Sequence, residues 1–257
     1  MRDPVLQRKL PTVLLIDDDL ISREVAATVL TMSGYTVHTA ADGEESLDML
    51  AKGECRPDVI LADAHMPGLS GTALLAKLRE RSPAMLIAMS GSNASEEIGA
   101  AADGFLLKPF DGDDLQKLLQ SREPAAPQSA APTFEAGAPV VSAETLAHLR
   151  TMMPESAIRE IYTAVVVDLG KRAKVLEAAI ARGDSDEIRR IGHAIKGGCG
   201  MAGAREAARI GALLEASSAD SDGNHLDHKF RLLRDLRAAT RNLKRMLETE
   251  LPAKSEE

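Results

Sequence analysis

Between residues 12 and 121 the chain alternates short apolar runs with longer stretches whose apolar positions recur every three to four residues. "TVLLI" (12–16) precedes "ISREVAATVLTMSG", and "TVHTA" (36–40) precedes "GEESLDMLAKG". "DVILAD" (58–63) precedes "GTALLAKLRERS", "AMLIAMS" (84–90) precedes a short "ASEEIGAAAD", and "GFLLK" (104–108) precedes "DGDDLQKLLQS". Short apolar runs bounded by turn residues read as buried strands, and the 3.6-residue period reads as helix. Five strand–helix repeats predict a doubly wound α/β domain, a parallel sheet covered by helices on both faces.

The pattern then changes. "SREPAAPQSAAPTFEAGAP" (121–139) is rich in Ala and Pro and almost free of large apolar residues, which predicts a semi-extended linker. Beyond it no strand pattern returns. "SAETLAHLRTMM", "ESAIREIYTAVVVDLGKRAKVLEAAIARG", "DSDEIRRIGHAIKGGCGMAGAREAARIGALLEASS" and "HLDHKFRLLRDLRAATRNLKRMLETEL" are all helical in period, with breaks at Pro154, at Gly183-Asp184 and at 218–224. Four antiparallel helices in a bundle is the economical packing. The expected organisation is an α/β domain over 1–121, a linker over 122–140, an all-α four-helix bundle over 141–252 and a tail over 253–257.

Composition agrees with packed helices: 44% of the 257 residues are hydrophobic but only 2% are aromatic, and there is no Trp. No apolar run approaches the roughly 20 residues needed to cross a membrane, so no membrane insertion is expected. The opening "MRDPVLQRKL" lacks the apolar core of a secretory signal. Cys55 and Cys199 stand alone, without disulfide or metal-ligand spacing. A cytoplasmic location is expected. The net charge of −8 sits entirely in residues 1–121, which hold 11 Lys+Arg against 19 Asp+Glu, whereas 122–257 hold 20 of each. That balance leaves no nucleic-acid footprint.

Ligands of doubly wound sheets bind beyond the carboxyl ends of the strands. The polar residues there are Asp17, Asp18, Asp63, Ser90 and Lys108. Clustered carboxylates repel and need a counter-charge, which Mg²⁺ with oxygen ligands supplies, and Lys108 adds a second cation. Such a site suits a phosphoryl group, with one carboxylate as nucleophile and Ser90 as a hydrogen-bond donor.

"VLLIDDD", "VILADAHMPGLSG", "MLIAMSG" and "GFLLKPF" stand in the order and spacing of the response-regulator receiver (CheY-like) domain, which residues 12–121 resemble. The resemblance implies a flavodoxin-like sheet of order 2-1-3-4-5. It makes Asp63 the phospho-acceptor and metal ligand, Asp18 a direct ligand, Asp17 a ligand through water, and the His65 backbone carbonyl the remaining ligand of Mg²⁺. Ser90 and Lys108 would contact the phosphoryl oxygens, and Phe105 would be the switch aromatic that moves with Ser90. The chain departs from the family between Ser90 and Lys108, where the fourth helix is short and alanine-rich. A second reading starts from "DDDLI", which loosely matches the opening of haloacid-dehalogenase-type phosphatases. It would make Asp17 the nucleophile and Asp113-Asp114 the acidic pair, but it leaves Asp63 unexplained.

In the second domain, "HAIKGGCG" (193–200) places three glycines inside a helical pattern, although each costs a helix roughly 1 kcal/mol relative to alanine. At 100° per residue, Ile188, Ile191, Ile195, Cys199 and Ala202 form one apolar stripe, and His193 lies on the far side, facing solvent. Gly197 and Gly200 fall on the His193 face, where they would clear a landing for another protein's active site. A solvated imidazole is a competent phosphoryl acceptor, and Lys196 can balance the charge it takes on. His193, Lys196, Gly197 and Gly203 resemble the signature of the histidine phosphotransfer (HPt) domain, over about 141–251. Together the two resemblances imply a phosphorelay signalling protein that carries phosphate on Asp63 and His193. It would exchange that phosphate with a separate sensor histidine kinase and with partner receiver or HPt proteins. With no kinase ATP-binding motif, it is expected to be a carrier, not an enzyme; the competing reading is a phosphate sink or scaffold.

Overall fold

A computed structural model describes residues 10–91, 96–120, 140–217 and 225–252. Apart from Val140, the expected linker and tail lie outside the described residues. The apolar runs form β1 (Thr12–Ile16), β2 (Thr36–Ala40), β3 (Val59–Asp63), β4 (Met85–Ser90) and β5 (Gly104–Leu107). They make one parallel sheet of order β2-β1-β3-β4-β5. Between them run α1 (Leu20–Met32), α2 (Gly43–Lys52), α3 (Gly71–Arg81), α4 (Glu96–Ala101) and α5 (Gly112–Gln120).

Strand side chains alternate between two apolar layers. Val13, Leu15, Leu61, Ile87 and Met89 pack with Ile21, Val25 and Val29 of α1 and with Leu115 and Leu118 of α5. Leu14, Ile16, Ile60, Leu86 and Ala88 pack with Leu47 of α2, Leu74 and Leu78 of α3 and Ile98 of α4. Both faces of the central strands are therefore covered, which explains their continuous apolar spelling. The edge strand β2, with its exposed first residue and half-buried Val37, His38 and Thr39, shows a looser pattern. Among the described residues the fourth helix spans six, Glu96–Ala101.

The second half contains α6 (Ala143–Met152), α7 (Glu155–Arg182), α8 (Ser185–Met201), α9 (Arg205–Ser217) and α10 (His225–Glu250). The four helical segments expected from periodicity are thus five helices. The third segment breaks after Met201, where Gly203 takes a left-handed φ of 69° and turns the chain from α8 into α9. Helices α7, α8, α9 and α10 form the bundle, with α8 against α7 and α9, and α10 against α7 and α9. Tyr162 of α7, fully buried, donates its hydroxyl to the Ala202 carbonyl at 2.8 Å and ties the α8–α9 turn to α7. No described helix is long and apolar enough to cross a membrane.

The two halves touch. Helix α1 packs on both α7 and α8, and one apolar cluster runs from the α1–α5 face of the sheet into the bundle core. The His148 imidazole of α6 comes within 3.9 Å of Asp111 beside α5.

Candidate functional site

Parallel strands all end at the same rim, so polar residues distant in sequence meet there. Asp17 follows β1, Asp63 ends β3, Ser90 ends β4 and Lys108 follows β5. The Lys108 ammonium lies 2.6 Å from Asp17 Oδ2 and 2.6 Å from Asp63 Oδ2, and all three side chains are buried. Asp17 Oδ2 also accepts from Ser22 Oγ at 2.7 Å, and its Oδ1 from the Asp19 amide at 2.9 Å. Asp63 Oδ1 accepts from the His65 amide at 2.9 Å. Burial works to raise the Asp63 pKa, but the adjacent Lys108 charge and hydrogen bond outweigh it and hold the carboxyl below its usual range. Burial likewise works to lower the Lys108 pKa, and the Asp63 and Asp17 carboxylates drive it well above the ordinary lysine value.

Asp18 is exposed at the mouth of this cluster. Partial dehydration, then the neighbouring charges of Asp17, Asp63 and Asp19, push its pKa up to about 6. Asp17, Asp18 and Asp63 offer carboxylate oxygens within 4.8 Å of one another. Asp17 and Asp63 share one ammonium and Asp18 adds a third carboxylate, so excess negative charge sits on oxygen donors. That donor set fits a hard divalent cation.

Facing the cluster across a cleft of about 580 Å³ stands His193 of α8, and Asp18, Asp63, His65, Lys108, His193 and Glu215 line this cleft. The His193 side chain is only 23% exposed, so the solvent-facing position expected from the helical wheel is corrected. The wheel sorted α8 rightly, since Ile188, Ile191, Ile195, Cys199 and Ala202 are all buried. The far face of α8, however, is half covered by the α/β side of the cleft. Ligand atoms of Asp63, His65 and His193 lie within 4.8 Å of one another.

Glu215 of α9, which no sequence motif marked, holds the imidazole. Its Oε1 is 2.8 Å from His193 Nδ1 and its Oε2 is 3.1 Å from the Lys196 ammonium. Burial works to raise the Glu215 pKa, but the hydrogen bond from His193 and the Lys196 charge pull it down to about 2. Lys196 therefore reaches His193 through Glu215. The signal for this pair lies in two other glycines: a Cβ on Gly192 would stand 2.6 Å from the Glu215 amide, and one on Gly211 would stand 2.6 Å from the Lys196 amide. Their bareness lets α8 and α9 approach closely enough for Glu215 to reach His193.

His65 contributes more than a backbone group. Its Nδ1 lies 3.2 Å from Ser90 Oγ, and its ring centroid is 5.1 Å from that of His193. Dehydration, followed by the nearby His193, lowers its pKa. Phe105 is half-buried against the α2–α3–α4 layer. A Cβ at Gly197 or Gly200 meets nothing within 4 Å, and Gly197 lines the cleft beside His193, whereas a Cβ on Gly198 would stand 2.7 Å from Asp19 Oδ1. Cys199 is buried, and burial pushes its thiol pKa well up. The phosphatase-type acidic pair is not assembled, because Asp114 instead bonds the Asp111 amide and Lys117.

Comparison with known proteins agrees with this division. The family model for the response regulator receiver domain matches residues 13–120, and that for the Hpt domain matches residues 160–249. Among curated proteins, the response regulator MprA of Mycolicibacterium vanbaalenii is 35% identical over 133 residues, 48% of this chain and 57% of that protein. The nitrate/nitrite response regulator NarL of Escherichia coli is 36% identical over 115 residues, 42% of this chain and 52% of that protein. The chain thus spans about half the length of the curated relatives it matches. Among solved structures, the chemotaxis protein CheY4 of Vibrio cholerae is 33% identical, with a TM-score of 0.39, over 43% of this chain and 97% of that one. A parallel sheet that gathers Asp17, Asp63 and Lys108, joined to a helical bundle that presents His193, matches both families: the chain is a response regulator receiver domain fused to an Hpt domain, the modules of two-component phosphorelay signalling.

Proposed function

We propose that the chain is a phosphoryl carrier that moves one phosphoryl group between Asp63 and His193, and exchanges it with a separate sensor histidine kinase and partner receiver or HPt proteins. The observation that carries this reading is the approach of the Asp63 and His193 ligand atoms to within 4.8 Å. Residues from two folding units meet there with the chemistry of an acceptor on each side.

Asp63 takes the group as an acyl phosphate, with Lys108 beside it to neutralise the oxygens. Asp17, Asp18 and Asp63, with the His65 carbonyl, would hold Mg²⁺, which supplies further charge neutralisation to the phosphoryl oxygens. On the other side, Glu215 accepts the Nδ1 proton of His193, so Nε2 keeps its lone pair. In transfer, Nε2 forms a bond to phosphorus as the bond from phosphorus to Asp63 breaks, and the electron pair of that bond stays on the carboxylate. The Nδ1 proton remains on the ring, and the positive charge that develops there faces Glu215. Ser90 and Phe105 are the residues through which the phosphorylated receiver would change shape.

The test supplies Mg²⁺ and a labelled acyl-phosphate donor to wild type, Asp63→Asn and His193→Gln. Label that enters at Asp63 and then appears on His193 supports the relay. Label confined to Asp63 in wild type, with no exchange from His193 to any receiver, leaves the sink or scaffold reading.

A further inference from the structure

The third aspartate of "IDDD" is not needed for the phosphoryl site, yet it is buried and doubly engaged. Asp19 Oδ1 caps α1 by accepting from the Ser22 amide at 2.8 Å. Its Oδ2 accepts from the guanidinium of Arg172, which lies 153 residues away on α7 of the bundle. Arg172 is itself aimed by Asp168, one turn earlier on the same helix, which accepts from Nε while the other arm of the fork reaches Asp19. Lysine lacks the planar fork that satisfies both carboxylates at once. On the adjacent helix, Gly198 brings bare backbone against the same carboxylate: a Cβ there would meet Asp19 Oδ1 at 2.7 Å and Ile21 Cβ at 3.4 Å. An arginine and a glycine from two bundle helices thus enclose one carboxylate of the receiver, at 21% and 9% exposure for the charged pair.

We propose that Arg172 and Gly198 read the carboxylate at the N-cap of α1, so that the bundle docks on the receiver of its own chain and keeps the α1 face closed to other proteins. The recognised surface is chemically defined: an α1 whose first turn is capped by an acidic residue directly after the Asp17-Asp18 pair. Covalent linkage raises the effective concentration of this partner well above that of a free protein. In the docked state Asp63, 5% exposed, opens only onto the cleft that His193 of the bundle faces. The docked state is the resting state of the chain, and an outside phosphodonor must wait for the clasp to open. This inference rests on the relay reading for its transfer readout, but not for its structural one.

The experiment uses the full chain with Arg172→Glu and, separately, Gly198→Leu, each checked for unchanged helix content. Small-angle scattering should show a larger radius of gyration for both than for wild type. In a His193→Gln background, labelling of Asp63 by an acyl-phosphate donor with Mg²⁺ should speed up, because the cleft is uncovered. With His193 present, transfer from Asp63 to His193 should slow by about tenfold or more, as expected when one partner of a buried charge pair is inverted. If both variants remain as compact as wild type and label Asp63 at its rate, the clasp is overturned. If wild type transfers no label to His193, the relay reading fails, and scattering together with Asp63 labelling still decides the clasp.

Discussion

His193 Nδ1 and Glu215 Oε1 lie 2.8 Å apart, joined from α8 to α9 across the turn at Gly203. A carboxylate in that position fixes which ring nitrogen carries the proton and keeps the other free. Replacing Glu215 by Ala should slow transfer to His193 by roughly a hundredfold, since an imidazole in the wrong tautomer loses its nucleophilic nitrogen. Glu215→Gln, which retains an acceptor oxygen, should lose less. Single-turnover label transfer measures the rates, and nitrogen NMR of the imidazole reports the tautomer. Equal transfer in Glu215→Ala and wild type would remove Glu215 from the site.

The same pair sets a pH dependence. The Glu215 pKa falls from 4.5 to about 2 in the folded chain, so the folded state binds fewer protons there than the unfolded one. A depressed carboxylate stabilises the fold above its unfolded pKa, and the contribution is lost as pH falls through the folded value. The stability gap between wild type and Glu215→Gln should therefore be constant above pH 4.5 and narrow between 4.5 and about 2. Urea unfolding across that range would show it, and a gap that widens on acidification has the wrong sign.

Lys108 is the ammonium shared by Asp17 and Asp63, all buried. Lys108→Met leaves two buried carboxylates facing each other and should cost about 3–5 kcal/mol of stability. Part of that loss should return on adding Mg²⁺, because a divalent cation replaces the missing charge among the same oxygens. Denaturant midpoints with and without the cation test this. Restored stability would not restore phosphorylation at Asp63, since the phosphoryl oxygens still lack the ammonium.

Two glycines of α8 should respond oppositely to a single methyl group. Gly192→Ala drives Cβ to 2.6 Å from the Glu215 amide and 2.8 Å from the Gly211 carbonyl. It should destabilise by about 1–3 kcal/mol through overpacking and move Glu215 away from His193. Gly200→Ala meets nothing within 4 Å, so it should hold or raise stability by up to about 1 kcal/mol with normal transfer. Thermal unfolding and label transfer on both variants separate the two. A tolerated Gly192→Ala would show that α8 and α9 have room to spare.

Much of this was legible in the chain itself. The five apolar runs spelled β1 to β5, most plainly in the central strands, which are covered on both faces and need no polar alternation. Asp17, Asp18, Asp63, Ser90 and Lys108 could be assigned to one rim because parallel strands all end on the same side. The break between α8 and α9 was harder to read, since Gly203 follows a helix already rich in glycine and period alone does not mark a left-handed turn. Glu215 was hidden for a related reason. It lies 22 residues from His193 on another helix, and no local spacing connects them.

By itself, the sequence determined two folding units, the strand ends that carry the carboxylates, and the apolar stripe that buries Ile188, Ile191 and Ile195, because each follows from local periodicity and chain direction. Only the tertiary structure decided what covers the opposite face of α8. There His193 meets Glu215 and the His65 ring, Gly198 makes room for Asp19, and Arg172 reaches across to the cap of α1. Those contacts depend on the approach of separate helices and of the two units, at distances set by packed backbones that no single stretch of residues encodes.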